Sequence, residues 1–187
     1  MLFIKKTIPF FCFYLIACSQ SKTITSDQII EQSISACGWN QKEFSISFDF
    51  RDYTYKLIRK PFFYSYQRSK LIEGTAFLDI MTSKDQLKRY KNNRLLKLND
   101  SITNLYSNSL NSVMYFFQLP LILRDDAVIS EVLGATTIFG KKYWSVKVLF
   151  NQSGGGKDFK DEYRYWIDQE SHLIAFLAYN YLTDGGG

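Results

Sequence analysis

An alternation of apolar and polar residues through positions 44–50 constrains the fold more than any other feature of this sequence. Every second residue there is Phe or Ile, and the residues between them are Ser or Asp. A period of two places alternate side chains on opposite faces of a β-strand. The same alternation recurs over residues 53–57 and 62–69, and aromatic residues make up 17% of the chain. Because aromatic side chains favour strands, the pattern predicts an antiparallel sheet with an aromatic face.

Further strands are expected in both halves of the chain. Gly140-Lys141 is typical of a tight hairpin turn, and Asn92-Asn93 is the expected turn between two short basic strands within 87–98. A Gly-rich loop is expected over residues 151–161. The remaining predicted strands are 75–81, 127–133, 136–139, 143–150, 162–168 and 173–182.

Two helices interrupt these strands. Thr25 and Gln28 have the spacing of a capping box, which predicts a first helix over about 26–37. A second helix is expected over about 101–118, where Pro120 closes it. The order of helix, antiparallel strands, helix and antiparallel strands predicts an α+β fold with one large meandering sheet and both helices on one side.

The second predicted helix is amphipathic. At 100° per residue its apolar side chains gather on one face, which comprises Ile102, Leu105, Tyr106, Leu110, Val113, Phe116 and Phe117. This face has two interpretations. The helix either packs permanently on the sheet or acts as a lid over a lipid-binding groove.

The N-terminus has the pattern of a bacterial lipoprotein signal. Lys5 and Lys6 precede an apolar run over 8–17, which has the length of about 10 residues typical of a signal peptide and is too short to span a bilayer. The run ends in Leu15-Ile16-Ala17-Cys18, which resembles the lipobox of lipoprotein signal peptidase. The alternatives are an ordinary secretory signal with a chance cysteine and a short membrane anchor.

This pattern predicts the organisation of the whole chain. Residues 1–17 form the signal peptide, 18–25 a lipidated tether that begins at Cys18, and 26–187 a single domain. Acyl chains on one cysteine anchor a protein stably when there is more than one of them. Ser19 after the cysteine favours the outer membrane, so we expect a lipid-anchored protein of the cell envelope that faces the periplasm.

Charge and cysteine content narrow the class further. Without Lys5 and Lys6 the formal charge falls from +5 to +3, which makes no case for a nucleic-acid partner. With Cys12 and Cys18 in the signal and the anchor, Cys37 has no partner for an internal disulfide, and we expect it to be a small buried hydrophobe.

Little in the sequence indicates catalysis or a cofactor. His172 is the one histidine and falls in a predicted turn, so zinc would have only His172 and Cys37. No metal or cofactor site is therefore expected. A weak alternative is a hydrolase or lyase that uses a polar rim at the edge of the sheet. The residues of this polar rim are Lys157, Asp158, Asp161 and Arg164.

Several segments together resemble an uncharacterised family of flavobacterial-type lipoproteins of the Bacteroidota. The matching segments are 26–30, 48–52, 111–116, 119–120, 134, 140–143, 150–159, 165–168, 179 and 185–187. Members of that family continue with further strands past the triple glycine, so the resemblance implies that this C-terminus is shortened. Leu182 would then end an unpaired sheet edge.

That family is similar in architecture to lipoprotein carriers of the LolA/LolB type. The resemblance implies a half-barrel, which is a curved antiparallel sheet with two main helices on its concave side and an apolar cavity for acyl chains. We therefore expect a non-catalytic lipoprotein that binds a lipid or a lipoprotein acyl chain. The alternative is a structural lipoprotein with a filled core and a partner at the sheet rim. The expected lining residues are Phe48, Tyr55, Tyr66, Val113 and Phe117.

Replacing the predicted lipidated cysteine tests the localisation. Cys18→Ser should abolish incorporation of labelled palmitate and move the chain from the membrane fraction to the soluble fraction, because the acyl chains supply the anchor. Cys12→Ser, which alters the signal but not the lipobox, should keep both. Labelling that survives in Cys18→Ser would contradict the lipoprotein assignment.

Overall fold

The chain is described from a computed structural model over residues 23–152 and 160–180. The helices are α1 (Ser26–Ala36) and α2 (Asp100–Phe117), and a short 3-10 helix spans Leu121–Arg124. The strands are β1 (Phe44–Phe50), β2 (Tyr53–Lys60), β3 (Phe63–Ile72), β4 (Thr75–Thr82), β5 (Lys88–Lys91), β6 (Arg94–Leu95), β7 (Val128–Ile138), β8 (Lys141–Phe150), β9 (Glu162–Asp168) and β10 (Ile174–Asn180).

The predicted α+β class is confirmed, with antiparallel strands that do not close into a barrel. The expectation of one large sheet is wrong, because the strands form two sheets. Sheet A has the order β1-β2-β3-β4-β5-β6, and sheet B has the order β10-β9-β8-β7. Each strand pairs with its neighbour in the sequence, so the insertion of α2 between β6 and β7 ends one meander and starts another.

Strand β7 replaces two strands that the sequence predicted separately, over 127–133 and 136–139. It runs unbroken over Val128–Ile138, but its register with β8 shifts between Val132 and Gly134. Gly134 has a φ of 117°, which glycine adopts without strain. Such a bulge inserts one extra residue into a strand. The extra residue breaks the alternation of inward and outward side chains at this point. In the sequence, such a break resembles the end of a strand.

Helix α1 begins as the sequence predicted. The Thr25 side chain accepts a hydrogen bond from the Gln28 N–H at 3.2 Å, and Gln28 Oε1 accepts one from the Thr25 N–H at 3.1 Å, which completes the capping box. Ile29, Ile30 and Ile34 are buried in the core of sheet B. The expectation for Cys37 is wrong: it is exposed, because it caps the helix beyond the last buried turn.

Helix α2 packs between the two sheets, and this rotates its buried side away from the predicted one. Leu110 and Met114 are fully buried, whereas Leu105 is 61% exposed. Ile102 and Phe116, also placed on the apolar face by the sequence, are exposed as well. The predicted face assumed one neighbour, but the helix contacts sheet A on one flank and sheet B on another, so the buried arc is centred on Met114.

Several predicted features lie outside the described residues. These are the signal peptide, Cys18, most of the tether, Lys157 and Asp158 of the polar rim, and the residues after Asn180. Within the described part of the chain, neither helix is long and apolar enough to cross a bilayer.

Candidate functional site

One row of side chains crosses sheet A on the face that α2 covers, which we call the inner face. The strand register places each member opposite the next. From β1 to β5 the row comprises Phe48, Tyr55, Arg68, Asp79 and Arg89. It changes from aromatic to charged at Arg68, so the inner face has an apolar half and a charged half.

The five predicted lining residues meet in the apolar half. The Phe117 ring of α2 stacks on Phe48, with ring centroids 3.8 Å apart, and Phe48 stacks on Tyr55 at 5.3 Å. Tyr66 is buried beside them, and Val113 packs against the same core. The structure therefore brings all five together, although α2 supplies two of them. That they line a ligand cavity stays a prediction.

Side chains of α2 occupy the space above this apolar half. Leu110 and Met114 are fully buried against the same cluster. Two cavities, of about 510 and 400 Å³, open elsewhere on the described residues, and the five predicted residues line neither. Helix α2 therefore covers the apolar face.

Gln118 fastens the end of α2 to sheet A. Its side chain is fully buried, donates to the Tyr66 hydroxyl at 3.0 Å and accepts from Arg59 Nη1 at 2.7 Å. Burial raises the pKa of the Tyr66 hydroxyl, since it penalises the phenolate. The hydrogen bonds of Gln118 give partners to its own side-chain amide and to the Tyr66 hydroxyl, which would otherwise be buried beneath the helix without partners.

The charged half is built on an ion pair between Arg68 and Asp79. Arg68 Nε donates to Asp79 Oδ2 at 2.8 Å, and the two side chains are 4% and 2% exposed. The same guanidinium donates from Nη1 to Ser109 Oγ at 2.9 Å and from Nη2 to the Tyr106 carbonyl at 3.4 Å. Arg68 therefore ties β3 to both β4 and α2.

Arg89 lies on the other side of Asp79, a position that was not predicted from the sequence. Its Nε is 3.6 Å from Asp79 Oδ1. Its guanidinium carbon is 4.0 Å from the Tyr106 ring centroid and 5.1 Å from that of Phe77. The basic composition of 87–98 suggested solvated lysines and arginines. The sequence did hold a clue to Arg68, the other arginine of the row. It is two and four residues from the inward-facing Tyr66 and Tyr64, so alternation places it on the same face of the strand.

Of the predicted polar rim, only Asp161 and Arg164 lie among the described residues, so the rim as a whole stays a prediction. Asp161 is buried, whereas Arg164 is exposed. Arg164 donates from Nε to Ser145 Oγ at 2.7 Å, and its guanidinium lies 5.0 Å from the Trp166 ring. Because alternate residues of β9 face opposite sides, Arg164 points away from the buried Tyr163 and Tyr165.

Two tyrosines join α2 to sheet B. The Tyr115 and Tyr165 hydroxyl oxygens are 3.2 Å apart. Burial raises the pKa of Tyr115 to about 12, and it also raises that of Tyr165. Both hydroxyls therefore stay protonated at neutral pH, and the pair forms a neutral hydrogen bond.

His172 lies in the turn between β9 and β10, where the sequence placed it, with a φ of 59°. Its backbone N–H donates to the Asp168 carbonyl at 2.9 Å. The N–H groups of Ser171 and Glu170 lower the pKa of the Asp168 carboxyl. Residues 23–152 and 160–180 contain no group of three His, Cys, Asp or Glu side chains that could hold a metal.

Comparison with known proteins identifies the family. The model of a family of unknown function, DUF6503, matches residues 5–187. The chain belongs to the DUF6503 family. The crystal structure of the lipoprotein LppX of Mycobacterium tuberculosis is similar at 12% identity and a TM-score of 0.33, over 83% of this chain and 87% of that chain. No curated protein matches the DUF6503 chain.

Removing the shared carboxylate tests the energetics of the charged half. Asp79→Asn should destabilise the fold by about 3–5 kcal/mol, because it leaves buried guanidinium groups without their counter-charge. The matched control is Asp52→Asn, which breaks the exposed pair with Lys70 and should cost about 1 kcal/mol or less. Urea unfolding measures both. Equal losses would contradict the buried ion pair.

Proposed function

We propose that this chain is a membrane-anchored lipoprotein of the cell envelope that binds an apolar ligand on the inner face of sheet A. The ligand is a lipid or a lipoprotein acyl chain, and the role is non-catalytic. One observation carries the proposal: an aromatic and aliphatic patch on the sheet is covered by a single helix, with Phe117 stacked flat on Phe48.

The proposal includes the organisation expected from the sequence. A signal peptide over 1–17 is removed, the tether over 18–25 carries lipid on Cys18, and residues 26–187 form one domain. The anchor holds that domain at a membrane, which we propose is the outer membrane on its periplasmic side. A binding face on a tethered domain remains within reach of lipids at the membrane surface.

Helix α2 is the proposed lid. Polar bonds hold it to sheet A at Ser109 and at Gln118. Between those points the contacts with sheet A are apolar, through Val113, Met114 and Phe117. Apolar contacts are non-directional, so an acyl chain of similar width can replace them without leaving polar groups unpaired.

The magnitudes permit this exchange. Loss of the packing of one buried Phe costs about 3–5 kcal/mol. Each buried methylene contributes about 0.8 kcal/mol, so roughly five methylenes offset the displacement of Phe117. A membrane acyl chain has more than that, so a long-chain lipid offsets the displacement of the Phe117 ring, whereas a fatty acid with fewer methylenes does not.

The second candidate is an interaction lipoprotein whose core is permanently filled. The complete burial of the α2 side chains Leu110 and Met114 against sheet A favours it, because such packing resembles an ordinary core. In that case the sheet rim binds a partner and α2 does not move. The two candidates differ in whether wild-type protein takes up lipid at all.

Native mass spectrometry with dioctanoyl phosphatidylethanolamine distinguishes them. Wild-type protein should bind lipid with a stoichiometry of one, and Phe117→Ala should bind it at least tenfold more tightly in a lipid titration, since the ligand no longer has to displace that ring. Phe116→Ala is the matched control, because Phe116 is exposed on the same helix and should leave occupancy unchanged. A wild-type protein without adduct would contradict the proposal and support the filled-core candidate.

A further inference from the structure

The charged half of the inner face holds two guanidinium groups and one carboxylate. Arg68 and Arg89 lie on either side of Asp79, and each of the three side chains is at least nine-tenths buried. A buried charge without a counter-charge is strongly unfavourable. One positive charge in this row is therefore left unbalanced by its nearest neighbours.

The two arginines differ in how they are held. Arg68 uses Nε, Nη1 and Nη2 in hydrogen bonds to Asp79, Ser109 and the Tyr106 carbonyl. Arg89 Nη1 is buried and has no hydrogen-bond partner within the described structure. Buried donors of this kind are rare in proteins and call for an explanation, for which a bound anion is one candidate. Asp79 Oδ1 is likewise buried without a hydrogen-bond partner in the described structure. Arg68 therefore has a structural role, whereas Nη1 of Arg89 is a hydrogen-bond donor that no group in the described structure uses.

The geometry around Arg89 suits an anion in the plane of its guanidinium. The rings of Tyr106 and Phe77 lie near the group at 4.0 and 5.1 Å, which fixes the side chain by cation–π contact. A fixed guanidinium presents its N–H groups in a planar fork that matches phosphate oxygens. The aromatic neighbours also exclude water, which strengthens an ionic bond.

More cations lie on the adjacent row of the inner face. Lys91 Nζ is 6.0 Å from the ring centroid of Phe77, so this ring contacts two cations. Lys70 lies opposite Phe77 in the sheet and pairs with the exposed Asp52 at 3.0 Å. The cavity of about 510 Å³ opens beside this row, and Lys70 and Phe77 line it, whereas Arg89 and Lys91 do not. Its other lining residues are Asp49, Arg51, Asp52, Tyr53, Thr54, Ser69, Leu71 and Ala76.

We propose that Arg89 binds a phosphate group, with Lys91 and Lys70 as outer cations. The group belongs to a lipid headgroup or is free phosphate. The lipid source rests on the proposed function, because it places acyl chains on Tyr55 in the same row. Tyr55 and Arg89 are three strands apart, or roughly 14 Å at about 4.8 Å per strand, a span that one amphiphile can bridge.

Binding of three probes to the complete purified chain tests this inference. The probes are inorganic phosphate, dioctanoyl phosphatidic acid and dioctanoylglycerol, which lacks phosphate. Wild-type protein should bind phosphatidic acid at least tenfold more tightly than dioctanoylglycerol. In Arg89→Met that preference should vanish while dioctanoylglycerol binding is unchanged. Arg94→Met, which removes an exposed charge from the neighbouring strand, should keep the preference.

The outcomes separate this inference from the proposed function. If phosphate raises the unfolding temperature above that in chloride of equal ionic strength, and Arg89→Met abolishes the rise, the anion site stands even without lipid binding. Binding of both lipids with equal affinity to wild type overturns the site and leaves the proposed function intact.

Arg89→Lys, which keeps the charge, should retain part of the preference and shows whether loss in Arg89→Met reflects charge or misfolding. No response of wild type to phosphate or phosphatidic acid overturns the site.

Discussion

Helix α2 lies across the inner face of sheet A, and the stacking of Phe117 on Phe48 is the contact on which the proposed function depends. The aromatic strands β1 to β3 would expose their apolar side chains without it. The same helix reaches sheet B through the Tyr115 and Tyr165 hydroxyls. One helix therefore closes the core of sheet A and connects the two sheets, so a change in its position alters the packing of both sheets.

The charged half of the inner face complements this apolar contact. Apolar packing does not fix the position of a helix along a flat aromatic surface, because it is non-directional. The bonds from Arg68 to Ser109 and to the Tyr106 carbonyl do fix it, since each requires a specific atom at a specific place. Asp79 holds Arg68 in turn, which explains why a carboxylate is buried among aromatic strands.

The sequence predicted the local structure well, because local structure depends on neighbouring residues. The period of two gave β1 to β4, and Thr25 with Gln28 gave the capping box. Three of the five predicted lining residues, Phe48, Tyr55 and Tyr66, lie on strands, and alternation alone sorts them onto one face. Val113 and Phe117 join them because α2 packs on that face. The break between the sheets and the rotation of α2 were not predicted, since they depend on which distant elements pack together.

The placement of the charged residues also depends on distant strands, so it too was not predicted from the sequence. Arg89 reads as one of several basic residues on a solvated strand, and its burial follows only from the register that places it opposite Asp79. The two described residues of the polar rim differ in burial, and the rim itself stays a prediction. Asp161 and Arg164 are close in sequence and look like one site, but the pleat of a strand separates residues of opposite parity.

Amide hydrogen exchange with and without phospholipid tests most directly whether α2 is a movable lid. If it is, bound lipid should speed exchange in the part of α2 between Ser109 and Gln118 and slow it in β2 and β3, because the ligand takes the place of the apolar helix contacts on the sheet. Exchange in α2 that stays as slow as in β2 and β3 and does not respond to lipid would contradict the account and leave α2 as part of a permanent core.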